Sequence, residues 1–416
     1  MKDPCSNIDL CVLSILFPES DSNIKSAVIR TRGQNITYIQ SSLLQGFSSC
    51  GIKSINLINT LLVSLFPKGY RYPFVRKQAI QVGAISGINH PFINVPFLYS
   101  FSLFPFAKPH IRKWLKIRDG KQKVAIAYAL TKYTLRSMKY IKSNDPTIKT
   151  LLIVPDLPQY TYGETANNLK KLKNTISKRI ILKRIKRLSS FVDGWVLFSD
   201  QMKEQLPPIR HSVVFEGLCT TEFDAISPRK LCKDNEIGIL YAGGLSKAYG
   251  IDLLLNAFEL LEDPRYRLFI AGKGTKEVEE LVKTSCDMDP RISYLGVVPR
   301  EDLLAIEKGM SVLINPRINS GIFTRYSFPS KNMEYLSSGV PTIGFKLDGI
   351  PDEYDLFIHY PESETAEAIS RMIREVSIER YDECVEIAKQ AKTFVQQEKS
   401  SIGQAQKIIR LINRIE

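Results

Sequence analysis

Residues 328–343 read FPSKNMEYLSSGVPTI. The order is a helix entry, a short helix, a stop and the start of a strand. Pro329 and Ser330 stand where a helix begins, with Ser330 as the expected N-cap. Gly339 and Pro341 mark its end. A short helix running directly into an apolar strand is the repeating unit of a parallel α/β sheet. Lys331 falls in the first turn, where the helix dipole is already positive, and a cation there is disfavoured by roughly 0.3–1 kcal/mol. Two readings follow. An anion binds at this helix end, or Lys331 pairs with Glu334 three residues on, for roughly 0.2–0.5 kcal/mol.

The same pattern repeats upstream. Strand-like runs at 236–244 (EIGILYAGG), 266–274 (YRLFIAGKG), 291–298, 311–316 and 340–345 alternate with helical spacing at 251–261, 275–285 and 300–309. Short apolar strands alternating with helices predict a doubly wound parallel sheet. Ligands of such sheets bind beyond the carboxyl ends of the strands, so the loops at 243–250, 272–275, 296–299 and 316–330 are where a site is expected. The first half is less regular. Residues 8–16, 150–156, 194–200 and 211–217 read as strands, and 123–141 and 166–188 as helices. The stretch 60–118 is rich in Pro, Phe and Tyr and shows no sustained period.

At 416 residues the chain calls for two domains. The polar, turn-rich segment 217–235 is the expected boundary. It gives a first domain over 1–216, a second over 217–398, and a helix over 399–416 expected to pack back on the first. Charge divides at the same place. Residues 1–216 hold 32 Lys and Arg against 12 Asp and Glu, a net of +20, whereas 217–416 hold 25 against 31, a net of −6. Seven cysteines at 5, 11, 50, 219, 232, 286 and 384 form no CxxC pair and read as reduced thiols of an intracellular protein. The first residues, MKDPCSNIDL, lack a signal-peptide pattern.

Other classes fit the sequence less well. The sequence pI of about 9.3 invites a nucleic-acid reading, but no recognition module is present. GGLSKAYG at 243–250 does not have the GxGxxG spacing of a dinucleotide oxidoreductase. The four histidines, 90, 110, 211 and 359, have no ligand spacing, and DMD at 287–289 precedes a strand, at the wrong end of a sheet for a metal site. No metal or other cofactor is expected.

Four passages carry a family resemblance: YAGGLSKAYGIDLLLNAF, LFIAGKGTKEVEEL, ISYLGVVPREDLLAI and FPSKNMEYLSSGVPTI. Together they resemble glycosyltransferase family 4, retaining enzymes that use nucleotide-diphosphate sugars, of the type that builds bacterial surface polysaccharide. The likeness is good over about 236–360 and looser over 150–217. It implies the GT-B fold, two Rossmann-like doubly wound domains facing a central cleft, and a hexosyltransferase acting on a glycan or polyprenyl-diphosphate-linked acceptor. It implies donor contacts from the backbone at Gly243 and Gly244, base contacts at Gly296 and Val297, ribose contacts from Glu334, and diphosphate contacts from Ser330 and Lys331. Two departures stand out. Tyr326 occupies the position of the first of two glutamates that many members carry. Gly244 and Tyr249 occupy positions usually held by Arg and Lys, so the phosphate charge falls to Lys247, Arg317, Arg325 and Lys331. Asp156, after the strand-like run TLLIVP, is the candidate for positioning or deprotonating the acceptor hydroxyl, and a turn aspartate is the structural alternative. Glu216 lies where the interdomain crossover begins and is a candidate acceptor or cleft residue. The competing readings are a non-catalytic sugar-nucleotide-binding protein of the same fold and a basic nucleic-acid-binding protein.

Residues 167–190 carry nine Lys or Arg and no acid, with Leu and Ile at helical spacing. This predicts a basic amphipathic helix. With the aromatic run at 97–106 and the cations that follow it, it sets the expectation of a cytoplasmic protein held peripherally on the anionic inner face of the plasma membrane.

Overall fold

The computed structural model describes residues 7–17, 34–157, 183, 185–319 and 322–416. The expected basic helix over 167–190 therefore lies largely outside the described residues. The chain divides into two compact units, Met1–Glu216 with Ser401–Glu416, and Gly217–Ser400.

The first unit contains β1 (Ile8–Ser14), α1 (Gln34–Ser49), β2 (Ser54–Asn59), β3 (Phe74–Val75), β4 (Gln78–Val82), β5 (Ile85–Asn89), β6 (Phe92–Ile93), α2 (Tyr99–Leu115), β7 (Gln122–Tyr128), α3 (Lys132–Asn144), β8 (Lys149–Val154), β9 (Gly194–Leu197) and β10 (His211–Val214). Eight strands form one sheet in the order β10-β9-β8-β7-β1-β2-β5-β4, parallel except for the β4–β5 hairpin. β3 and β6 form a separate antiparallel pair. β1 is buried at all seven positions, as a strand covered on both faces must be.

Two expectations are corrected here. The run 123–141 is not one helix. Its first part is β7, and α3 starts only after Thr131, which caps it through a capping box with Thr134. Uninterrupted apolar residues fit a buried strand and a helix equally well, and the cap decides where one ends. The unassigned stretch 60–118 contains α2, with Pro105 and Pro109 inside it. Proline removes a donor from a helix interior, which is why the sequence does not announce this one.

The second unit contains β11 (Ile237–Leu245), α4 (Ile251–Glu259), β12 (Tyr266–Gly274), α5 (Lys276–Met288), β13 (Ile292–Gly296), α6 (Arg300–Lys308), β14 (Val312–Asn315), α7 (Ile322–Arg325), α8 (Ser330–Ser338), β15 (Thr342–Gly344), α9 (Ala366–Arg374) and α10 (Tyr381–Glu398). A final helix, α11 (Ser401–Arg414), belongs to the first unit. The sheet order is β13-β12-β11-β14-β15, all parallel. The order turns back between β11 and β14, which is the switch point where such sheets bind ligands.

Gly250 closes the loop after β11. Its φ is +73°, and a Cβ there would stand 2.0 Å from the Pro316 carbonyl oxygen beyond β14. Gly250→Ala should therefore cost about 2–4 kcal/mol, from left-handed backbone and forced contact together. Denaturant unfolding checks this, and an unchanged midpoint would show that the two strand ends are not in close contact.

Candidate active site

The site is built at the carboxyl ends of β11 and β14. Tyr241 Oη donates to the Gly244 carbonyl (2.7 Å) and shapes the turn at Gly243 and Gly244. Arg317, two residues beyond β14, is half-buried with its guanidinium 5.3 Å from the centre of the Tyr249 ring. Desolvation lowers its pKa, opposed by the nearby Tyr249 and Tyr241. Tyr249 stands at a position where the resembled family carries a lysine, and Arg317 lies against it. A cation from the neighbouring strand end thus reaches the loop.

α8 is fixed to both strand ends. The Ala242 N–H donates to Tyr335 Oη (2.9 Å), and Asn315 Nδ2 donates to Asn332 Oδ1 (2.6 Å). All four residues are buried. The helix starts one residue earlier than expected for an N-cap at Ser330. Pro329 holds the cap position with φ −69° and ψ 105°, no side chain caps the helix, and Ser330 is the first helical residue. Proline's fixed φ sets the helix entry without a capping hydroxyl. Gly339 ends the helix at φ 76°, as expected.

Lys331 is held by two carboxylates. Its Nζ lies 3.1 Å from Glu307 Oε1 and also binds Glu334 Oε1. Arg300 Nη1 reaches Glu334 Oε2 (3.1 Å), and Arg300 Nη2 reaches Glu222 (3.2 Å). Glu307 is fully buried on α6, and its Oε2 has no hydrogen-bond partner. Burial drives the Glu307 carboxyl above the usual range, with Lys331 pulling against it and Glu334 adding to the rise. Burial also pushes Glu334 upward, but Lys331, Glu307 and Arg300 outweigh it and hold Glu334 below the usual range. The i,i+3 pairing read from the sequence is thus present, joined by Glu307, which the sequence reading missed. A signal existed: Glu307 follows Leu303 and Leu304 at helical spacing, on the buried stripe of α6.

The remaining candidates are distributed as follows. Gly296 ends β13 at φ +65° with open space where a Cβ would stand, and Val297 is 72% exposed. Arg300 links this end of the sheet to α8. Lys247 is exposed in the turn after β11. Arg325 Nη1 pairs with Asp348 (3.2 Å), and Tyr326 is buried. In the first unit, Asp156 is exposed after β8. Glu216 is buried there, 3.7 Å from Lys407 Nζ of α11. Among the described residues no group of three or more His, Cys, Asp or Glu could hold a metal ion, and no helix is long and apolar enough to cross a membrane.

A doubly wound nucleotide-type unit with its polar cluster at the switch point defines a class, and comparison with known proteins makes that class specific. Residues 236–375 match the family described as "Glycosyl transferases group 1". No curated protein sequence matches the chain. The fold is similar to that of a glycosyltransferase from Rickettsia africae (TM-score 0.59, 15% identity, 98% of each chain). It is similar also to sucrose-phosphate synthase from Thermosynechococcus elongatus (TM-score 0.58, 14% identity, 98% of each chain). A third likeness is to HepE from Anabaena in complex with UDP (TM-score 0.55, 11% identity, 97% of this chain and 99% of that one). The fold is GT-B, with two Rossmann-like units. The C-terminal unit carries a glycosyltransferase group 1 domain, and the protein is a glycosyltransferase.

The buried acid gives a pH test. A carboxyl whose folded pKa is raised favours the fold while protonated and loses that contribution as pH rises past the ordinary value of 4.5. Glu307→Gln keeps an acceptor for Lys331 without a charge. Its melting temperature relative to wild type should rise with pH from acid toward alkaline conditions. A difference that stays constant with pH would show that folding leaves the Glu307 carboxyl at its ordinary pKa.

Proposed function

We propose that the protein transfers a sugar from a nucleotide-diphosphate sugar to a glycan or a polyprenyl-diphosphate-linked oligosaccharide, with retention, in cell-surface polysaccharide synthesis. On this reading it is a member of glycosyltransferase family 4. The observation that carries the reading is the anchoring of α8 beside the glycine turn of β11 and beside Arg317. Backbone N–H groups, a helix N-terminus and a desolvated arginine all lie around one switch point, and these are the elements that receive a diphosphate. HepE in complex with UDP and UDP-glucose, and a pneumococcal O-GlcNAc transferase in complex with UDP and GlcNAc, share the fold, which supports a nucleotide-sugar donor.

In the proposed reaction the bond between the sugar carbon and the diphosphate oxygen breaks, and the acceptor oxygen forms its bond to that carbon. Negative charge grows on the leaving diphosphate. Arg317, Lys247 and the N–H groups of Gly243, Gly244 and Ser330 stabilise it in place, without a metal. Glu334 accepts from the ribose hydroxyls, and the backbone at Gly296 and Val297 meets the base. Lys331 serves the same end by neutralising Glu334 and Glu307, which would otherwise repel the diphosphate. We assign no side chain the part of nucleophile, so the acceptor attacks on the face of the leaving group, and its proton passes to the departing diphosphate or to Asp156.

Calorimetry with UDP and GDP, set against NAD, tests the donor. One of the diphosphates should bind, and NAD should not. Arg317→Ala should weaken that binding by about 1.5–3 kcal/mol, the range of a charge-assisted hydrogen bond, without a large change in melting temperature. Unchanged affinity would remove Arg317 from the site. Release of nucleotide diphosphate from a panel of donors should continue in excess EDTA. Activity lost in EDTA and restored by Mn²⁺ or Mg²⁺ would overturn the metal-free reading.

A further inference from the structure

Among the described residues of the first unit, the four most exposed large apolar side chains gather around β3 and the start of α2, with Phe74 beside them. Phe97 is 90% exposed, Phe101 60%, Tyr72 53%, Leu98 52% and Phe74 42%. Apolar groups left in water in this number mark an interaction surface.

The backbone ties them together. β3 pairs with β6 so that Phe74 stands opposite Ile93, and the Ile93 N–H donates to Ser102 Oγ (3.1 Å) in the first turn of α2. The Phe74 ring also meets Phe106 of that helix edge-on at 6.0 Å. Leu98 and Phe101, three apart, share one side of the helix start. Phe97 leads into the helix at φ 67°. That is the left-handed region, a conformation a bulky side chain rarely adopts. Strain held at a residue whose ring is almost wholly in solvent gives the fold nothing, so it points to function.

Charge supplies the second, independent observation. Residues 22–118 contain 13 Lys and Arg and no Asp or Glu. Lys68, Arg71, Arg76 and Lys77 flank β3 and are exposed, as are Lys108 and Arg112 on α2. Lys132 Nζ lies 3.6 Å from the centre of the Phe101 ring. Aromatic tips ringed by cations, with no acid among them, fit the boundary of an anionic bilayer. There the apolar groups enter the headgroup–acyl region and the cations meet lipid phosphates.

We propose that this face docks the first unit on an anionic lipid bilayer, with Phe97, Leu98 and Phe101 as the inserting side chains. The assignment deepens the proposed function by naming the surface that brings the enzyme to a membrane-borne acceptor, and it rests on that reading only for the identity of the acceptor. Vesicle binding is read without sugar or nucleotide, so the two can fail separately.

Full-length protein is sedimented with vesicles of phosphatidylcholine and with vesicles of equal parts phosphatidylcholine and phosphatidylglycerol. The anionic vesicles should bind at least about tenfold more protein at low salt, and high salt should release it. The triple variant Phe97→Ser, Leu98→Ser, Phe101→Ser should lose about tenfold or more of that binding while its affinity for UDP or GDP is unchanged. Phe97→Trp gives a second readout, because the native Trp114 and Trp195 are buried and provide a constant background. Its emission should shift to the blue on anionic vesicles. Wild type that ignores anionic vesicles, or binds neutral ones equally, overturns the proposal and leaves the face to a protein partner. A triple variant that sediments like wild type, or a Phe97→Trp emission that does not move, also overturns it.

Discussion

The C-terminal unit depends on how α8 is fixed to the sheet. Two buried hydrogen bonds do this, Asn315 to Asn332 and the Ala242 N–H to Tyr335. Each contributes about 1 kcal/mol net, but losing one partner strands the other in the core at a cost of about 1–3 kcal/mol. That asymmetry fixes the rotation of the helix as well as its position. With Asn332 and Tyr335 turned to the strand ends, Lys331 and Glu334 turn toward α6 and meet Glu307 and Arg300. A helix placed by apolar contacts alone could rotate by a fraction of a turn, and the cluster would come apart.

Two cations and three acids meet around α8. Lys331 and Arg300 face Glu222, Glu307 and Glu334. Three carboxylates against two cations would leave a net negative charge where the proposed function brings in a diphosphate. Burial raises the Glu307 pKa, which favours its protonated form and eases that excess. Arg317 lies apart from this network, against the glycine turn. The division of labour follows: Lys331 and Arg300 answer the acids around α8, and Arg317 lies beside the turn.

Much of the sheet in the second unit was legible because parallel strands buried on both faces leave unbroken apolar runs between glycine turns. YRLFIAGKG gives β12 at both of its ends. The first unit hid more. α2 contains two prolines, and only residues 129–131 separate β7 from α3. The side chains that hold α8 were not legible at all. Asn315 and Asn332 are 17 residues apart and meet only when β14 and α8 pack. Glu307 carried a weak signal in its place on an apolar stripe, yet a glutamate next to a lysine at a helix end reads first as solvated. Sequence gives periodicity and turn chemistry well. It gives a buried polar contact only when both partners are close in the chain.

The most direct measurement is a crystal structure of the full-length protein with a bound nucleoside diphosphate. The account predicts the diphosphate between the Gly243–Gly244 turn and the first turn of α8, within reach of Arg317, with Asn315 still bonded to Asn332. A diphosphate bound elsewhere, or a helix that turns away from Asn315 when the ligand binds, would contradict it.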